Sequence, residues 1–244
     1  MHGGNIMYNI CDIHSHIIPQ VDDGAIDLNM SIQMLRDAYN QGTRSIICTS
    51  HSYGDMMKYY ENLNIVKEEL KRQNINVALY SGCEIYCSDY NIDVIIKELH
   101  NNRLPTMNYT KYVLMEFSTD ASISEIINCI EKIISNGFKV IIAHVERYKN
   151  LFINAEAINF LKNIGCLFQV NSYSLWDEKN GNIRAAAQWM LKDKFVSFVG
   201  SDAHQTIHRP YTIQNGINYI LETCDVQYAK NICCENAKQI LNIY

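Results

Sequence analysis

With 244 residues, 48% of them hydrophobic and 19% charged, the chain has ample material for a core and none of the polarity of a disordered segment. Its formal net charge of -5 argues against nucleic acid or an anionic membrane as a partner held by bulk electrostatics. No apolar stretch approaches the roughly 20 residues that span a bilayer, and the opening MHGGNIMYNI lacks the apolar run of a signal peptide.

Along the chain, short β-branched runs alternate with amphipathic stretches. A strand over residues 9–13 is followed by a helix over 29–41, 45–49 by 56–73, 77–82 by 91–101, and 112–117 by 122–135. Strand 139–143 then precedes helix 155–163, 167–170 precedes 183–192, and 196–199 precedes 212–222. The strands read as continuous apolar segments, the pattern of parallel strands covered on both faces. Gly42, Gly137 and Gly165 stand where helix C-terminal glycines belong. Seven strand–helix repeats without a Pro- or Gly-rich linker predict an α/β fold, a closed or nearly closed parallel (β/α)7 barrel of the TIM-like kind. The expected domain is single, residues 1–244, with 1–6 as a short extension. An open doubly wound sheet is the second choice, but the first strand–helix turn reads HSHIIPQVDDG and has no Gly-rich phosphate loop.

Metal-ligand residue types gather at the strand ends. His14 and His16 follow the first strand, and their i, i+2 spacing puts both rings on one face of extended chain. Asp22 and Asp23 lie in the next loop, His51 follows the second strand, Glu84 the third, and Glu116 closes the fourth. His144 ends the fifth strand, and Asp202 with His204 ends the seventh. One histidine at a strand end is ordinarily a hydrogen-bonded structural residue, and one glutamate ordinarily pairs with a lysine or arginine. In a parallel barrel, however, all these ends open on one rim, where barrel enzymes keep their active sites. Five of the eight histidines fall in this set. Glu84 and Glu116 are flanked by apolar runs, where a bare carboxylate is costly unless a cation neutralises it.

The donors are nitrogen and oxygen, since Cys83 neighbours Glu84 and should face the other way. Imidazole with carboxylate suits Mn²⁺, Fe or Zn²⁺. Taking His14, His16, Asp23, His51, Glu84, Glu116, His144, Asp202 and His204 gives nine donors, too many for one ion and right for two or three. Four are carboxylates, so three divalent ions would leave a positive cluster matched to a phosphate dianion. Arg147 and Arg209 sit in rim loops where guanidinium forks would grip phosphate oxygens, although either could instead pair with a surface carboxylate such as Glu146. Asp12 shares the parity of His14 and is expected to face inward as a hydrogen-bond partner behind the ligands. His208 reads as a loop residue first and a proton donor second. The stretch YGDMMKYY, residues 53–60, is placed to wall a pocket for an aromatic leaving group, or forms amphipathic surface.

The nine cysteines include no C-x-x-C pair and read as reduced, buried small hydrophobes of a cytoplasmic protein. None has arginine six residues on, which closes the route through a C-x5-R phosphatase loop.

DIHSH, VDDGA, TSH at 49–51, GCE at 82–84, MEF at 115–117, AHVERY at 143–148 and GSDAH…RP at 200–210 together resemble the PHP (polymerase and histidinol phosphatase) superfamily. Within it the chain is similar to the bacterial manganese-dependent tyrosine-protein phosphatases of capsule and exopolysaccharide operons, over essentially its whole length. The resemblance implies a distorted seven-stranded barrel and a trinuclear Mn²⁺ site on the nine donors, with Asp23 favoured over Asp22. It divides them as His14, His16, Glu84 and Asp202; Glu84, Glu116 and His144; and Asp23, His51 and His204. It also implies direct hydrolysis of phosphotyrosine by a metal-bridging hydroxide, with Arg147 and Arg209 neutralising charge, on a bacterial tyrosine kinase tail as substrate. The Arg209-Pro210-Tyr211 run departs from the expected Arg-Pro-Pro and bears only on local loop shape. The alternative is a histidinol phosphatase or another small-molecule phosphomonoesterase of the same superfamily. A phosphodiesterase or nuclease fits the acidic charge less well, and a catalytically dead relative would have lost ligands.

Overall fold

The computed structural model describes residues 9–179 and 181–243. The expected extension over 1–6 lies outside them. The chain begins with β1 (Ile10–Ser15), α1 (Leu28–Asn40), β2 (Thr43–Cys48) and α2 (Met56–Arg72). Two short strands follow, β3 (Ala78–Ser81) and β4 (Glu84–Tyr86), then α3 (Ile92–His100), β5 (Tyr112–Glu116), α4 (Ile123–Ser135) and β6 (Lys139–Ile142). The last part carries α5 (Ala155–Asn163), β7 (Leu167–Asn171), α6 (Gly181–Lys192), β8 (Phe198–Gly200), α7 (Ile213–Thr223), α8 (Val226–Lys230) and α9 (Asn236–Leu241).

Every strand pairing is parallel, in two sheets ordered β1-β2-β3 and β4-β5-β6-β7-β8. Isolated bridges join the sheets at both junctions, Ser15 with Ala203 and His51 with Glu84. The third strand expected over 77–82 is β3; the short β4 that follows it in the other sheet was not expected, and the described residues hold eight strands rather than seven. Gly82 marks the step: a Cβ there would stand 2.5 Å from Ile47 Cγ2, so only a glycine lets the chain cross so close to β2. The helices past residue 223 were not expected either; their Asn- and Cys-rich sequence is a poor helix former held by packing.

Side-chain caps start the helices: Asp27 accepts from Met30 N–H, Ser122 from Glu125 N–H and Asn154 from Ala157 N–H. Gly42, Gly137 and Gly165 end α1, α4 and α5 with φ of 90°, 87° and 100°. The larger apolar core lies between helices and sheets. A second core takes side chains from the opposite faces of the strands, among them Ile13, Ile47, Leu114, Ile141 and Phe198, and is closed by Ala237, Leu241 and Ile243. The C-terminal helix sits at the strand beginnings, where Asn236 donates to Ser197 O. The other end of the strands is left to polar residues. All nine cysteines are free, eight of them buried, as expected. Among the described residues no helix is long and apolar enough to cross a membrane.

Asp12 differs from expectation. Its Oδ1 accepts from the backbone N–H of His14 (3.1 Å) and of Ser201 (2.9 Å), and its Oδ2 from Tyr211 O–H at 2.9 Å. It therefore ties the chain before His14 to the chain before Asp202, rather than bonding an imidazole. Tyr211→Phe would leave a bare, buried carboxyl oxygen and remove the hydroxyl 3.0 Å from Thr43 Oγ1. The expected cost is about 1–3 kcal/mol, read as an earlier midpoint in urea unfolding.

Candidate metal centre

The chain leaving β1 is folded back tightly, with Ala25 N–H donating to His16 O at 3.1 Å. Gly24 permits the turn, because a Cβ there would lie 2.2 Å from His16 O. This turn places the two loop aspartates differently. Asp22 is buried and accepts from His16 Nδ1 (2.8 Å), His51 N–H (2.8 Å) and Gly24 N–H (3.0 Å). Burial opposes its charge, yet the contact with His16 and the two N–H donors hold it well below the ordinary carboxylate range. Asp23 stays on the rim, 60% exposed, with Oδ1 3.5 Å from both His51 Nε2 and His204 Nε2.

The other expected donors converge from five further strand ends. Glu84 is the hub. Its Oε2 lies 3.3 Å from His14 Nε2, 3.2 Å from His16 Nε2 and 3.0 Å from His51 Nδ1, and its Oε1 lies 2.8 Å from His144 Nε2. Asp202 Oδ1 is 3.6 Å from His14, His16 and His204 ring nitrogens. Glu116 reaches His144 at 3.5 Å and His51 at 3.6 Å. Three groups have donor atoms all within 4.8 Å of one another: His16, Asp23, His51 and His204; His14, His16 and Glu84; and His51, Glu84 and Glu116. Proximity therefore shares His16 and His51 between groups, unlike the division implied by the resemblance.

Hydrogen bonds on the far side of the rings fix which nitrogen faces the cluster. His14 Nδ1 donates to Gln169 Oε1 at 3.0 Å, an oxygen that also accepts from His144 N–H at 2.8 Å. His16 Nδ1 is engaged by Asp22, and His204 Nδ1 donates to Asp202 O at 2.9 Å. In all three Nε2 is the nitrogen turned inward. His144 and Asp202 occupy left-handed backbone, φ 30° and 50°, a strain of about 1–3 kcal/mol each that aims their side chains inward.

Several buried atoms of the cluster have no hydrogen-bond partner: His51 Nδ1, Glu84 Oε2 and His204 Nε2. Two inward nitrogens, His14 Nε2 and His16 Nε2, lie only 3.3 Å apart. Burial opposes protonation of His16, but its hydrogen bond to Asp22 and the nearby negative charge of Glu84 push it up to about 10; His144 rises to about 10 in the same way through Glu116 and Glu84. His204, buried beside His16, falls to about 2. Unpartnered lone pairs around excess carboxylate charge are what a divalent cation satisfies, so the residues fit one.

Both expected arginines reach this cluster. Arg147 Nη1 lies 3.8 Å and Arg209 Nη1 3.7 Å from the same Asp202 Oδ2, and Arg209 Nη2 is 3.3 Å from Asp23 Oδ2. His208 is exposed on its loop. Several buried polar residues around the cluster were not foreseen. Asn171 Nδ2 donates to Asp202 Oδ2 at 2.9 Å, Gln169 Nε2 to Asn171 Oδ1 at 2.8 Å, and Glu146 Oε1 accepts from Asn171 N–H at 3.0 Å. Burial pushes the Glu146 carboxyl up. The signal was present: Gln169 and Asn171 alternate with Phe168 and Val170 in β7, and polar amides of one parity inside an apolar strand face something polar. Gln169→Leu is expected to weaken Mn²⁺ binding about 10- to 100-fold, measured by calorimetric titration, with circular dichroism unchanged.

An all-parallel α/β frame with a buried imidazole–carboxylate cluster at its strand ends has the construction of a metal-dependent enzyme. The family described as "Capsular polysaccharide synthesis, CpsB/CapC" matches residues 10–242, and the chain belongs to this family. It is 32% identical over 240 residues to tyrosine-protein phosphatase CpsB of Streptococcus agalactiae serotype III (strain NEM316), covering 94% of this chain and 97% of that one. It is 33% identical over 240 residues to tyrosine-protein phosphatase CpsB of Streptococcus pneumoniae, with the same coverage. A crystal structure from a study of Bacillus subtilis YwqE and S. pneumoniae CpsB, metal-dependent tyrosine phosphatases, superposes with a TM-score of 0.84 at 27% identity. The match covers 96% of this chain and 94% of that one.

Proposed function

We propose that this protein is a metal-dependent protein-tyrosine phosphatase that acts on phosphotyrosine in a bacterial tyrosine kinase tail in the cytoplasm, regulating capsule or exopolysaccharide synthesis. The observation that carries this reading is the meeting of two guanidiniums on Asp202 at the edge of the buried cluster, in a member of the CpsB/CapC family. The domain is single, and the two sheets, bridged at both junctions, form one distorted barrel of seven strand positions, β3 and β4 sharing one.

His14, His16, Asp23, His51, Glu84, Glu116, His144, Asp202 and His204 would hold two or three Mn²⁺ ions, with Fe or Zn²⁺ as alternatives. Bound there, the ions supply Lewis acidity toward phosphoryl oxygens and lower the pKa of water. The chain's own residues do the rest. Gln169, Asp22 and the Asp202 carbonyl engage the Nδ1 atoms of His14, His16 and His204, so that Nε2 is the nitrogen each ring offers to the ions. Arg147 and Arg209, now facing Asp202, exchange that carboxylate for the phosphoryl oxygens and neutralise the charge that grows there. No side-chain nucleophile is required, so water attacks directly and no phosphoenzyme forms.

The test uses chelator-stripped protein with a phosphotyrosine peptide, a phosphoserine peptide and histidinol phosphate, with and without Mn²⁺. Phosphate release is expected from phosphotyrosine first, and only with metal. Faster turnover of histidinol phosphate would overturn the substrate class, and full activity in chelator would overturn the metal requirement.

A further inference from the structure

Beside the cluster, on the β2 and β4 side, opens a groove of about 830 Å³ whose walls include Tyr53, Met57, Tyr60, Tyr86, Val94 and Leu104. Its apolar side chains are unusually bare: Tyr53 is 67% exposed, Met57 89% and Val94 61%. One wall of the groove touches the metal centre. The Tyr53 ring stacks on the His51 ring, centroids 4.6 Å apart and planes 17° from parallel. Tyr86 lies in register with Glu116, and its N–H donates to Ser52 Oγ at 3.2 Å, so the wall hangs on the residues next to two donors. The arginines reach the cluster through Asp202, whereas Tyr53 reaches it through His51. A phosphoester gripped by the arginines therefore has an aromatic wall on another side. The lining also holds polar Ser52, Asn91 and Asn102, and its charged residues are paired, Arg103 with Glu98 at 3.2 Å and Asp55 with Lys58 at 3.3 Å. With these charges paired, the surface most open to a substrate side chain is that of Met57 and Val94, which suits an apolar one.

We propose that Tyr53 and this groove form the specificity subsite: the Tyr53 ring packs against the phenyl ring of phosphotyrosine, and the groove takes an apolar side chain adjacent to it in the substrate protein. This rests on the phosphotyrosine reading above. It makes Tyr53 a specificity-determining residue that touches the leaving group, and Val94 on α3 a residue that touches the flanking peptide.

The test reads binding as well as turnover, on the full-length, Mn²⁺-loaded protein. Inhibition constants are measured for phenylphosphonate and methylphosphonate with wild type, Tyr53→Phe and Tyr53→Ala. Wild type and Tyr53→Phe are expected to prefer the phenyl compound, and Tyr53→Ala to lose about three- to tenfold of that preference. If Tyr53 only braces His51, Tyr53→Ala weakens both compounds equally and the ratio stays, which overturns the proposal. Separately, phosphotyrosine peptides with leucine or with aspartate next to the phosphotyrosine are compared by kcat/KM. Wild type should favour leucine, and Val94→Asp should abolish that preference. An unchanged preference, or a groove that instead proves to hold a second copy because Val94→Asp dissolves an oligomer, overturns the groove's role. If wild type hydrolyses no phosphotyrosine peptide at all, the phosphotyrosine reading itself fails, a result distinct from hydrolysis without these preferences.

Discussion

Glu84→Gln is expected to lower phosphotyrosine hydrolysis by about a thousandfold, at the upper end of what loss of one electrostatic group in an active site costs. The amide keeps the shape of the carboxylate but removes the negative charge that stands 2.8–3.3 Å from four imidazoles. It also turns an N–H toward ring lone pairs that are meant for a cation. The loss should therefore appear as missing metal, at least one ion per chain by elemental analysis, with far-UV circular dichroism unchanged. A Gln variant within tenfold of wild type, or one with full metal content, would count against Glu84 as the hub.

The second large effect separates substrate binding from metal binding. Arg147→Met and Arg209→Met should each cut kcat/KM for a phosphotyrosine peptide by about a hundredfold, while metal content stays at the wild-type level. Lysine at either position should restore only part of this, since an ammonium lacks the planar fork that meets two phosphoryl oxygens. Because both guanidiniums face the same Asp202 Oδ2, their effects should not add: the double variant should lose less than the product of the single losses. A fully multiplicative loss would show two independent grips.

These predictions use residues that were readable without a structure, and the reason is geometric. In a parallel α/β chain every strand end faces the same way, so the ligand types at the ends of scattered strands need no long-range knowledge to be grouped. His14, His51, Glu84, His144 and Asp202 are legible for that reason, as are the strand–helix order and the helix-ending glycines. The short β4 was not, because residue type does not reveal that the chain changes sheet at Gly82 and pairs with β5 instead of β2. Asp12 is a buried hydrogen-bond partner behind the ligands, but its partners are backbone N–H groups and a tyrosine far along the chain, which parity cannot identify. The Gln169–Asn171–Glu146 network is less legible because a buried amide needs only some hydrogen-bond partner, and its type does not identify which one. The short C-terminal helices lack both periodicity and good helix formers, and their formation depends on the core they close.

The Asp12–Ser201 contact joins residues 189 apart in the chain. Together with the bonds from Asp202 N–H to His14 O (2.8 Å) and from His16 N–H to Ala203 O (2.9 Å), it sews the first strand to the segment after the last one. Such closure is slow for a growing polypeptide, because loop entropy must be spent before the contact forms. On the ribosome, β1 waits with His14 and the His16 that follows it while most of the protein is still being made. The full donor set therefore comes together only after Asp202 and His204 have been made, and a chain broken off before Asp202 lacks the seam that joins β1 to the segment after β8.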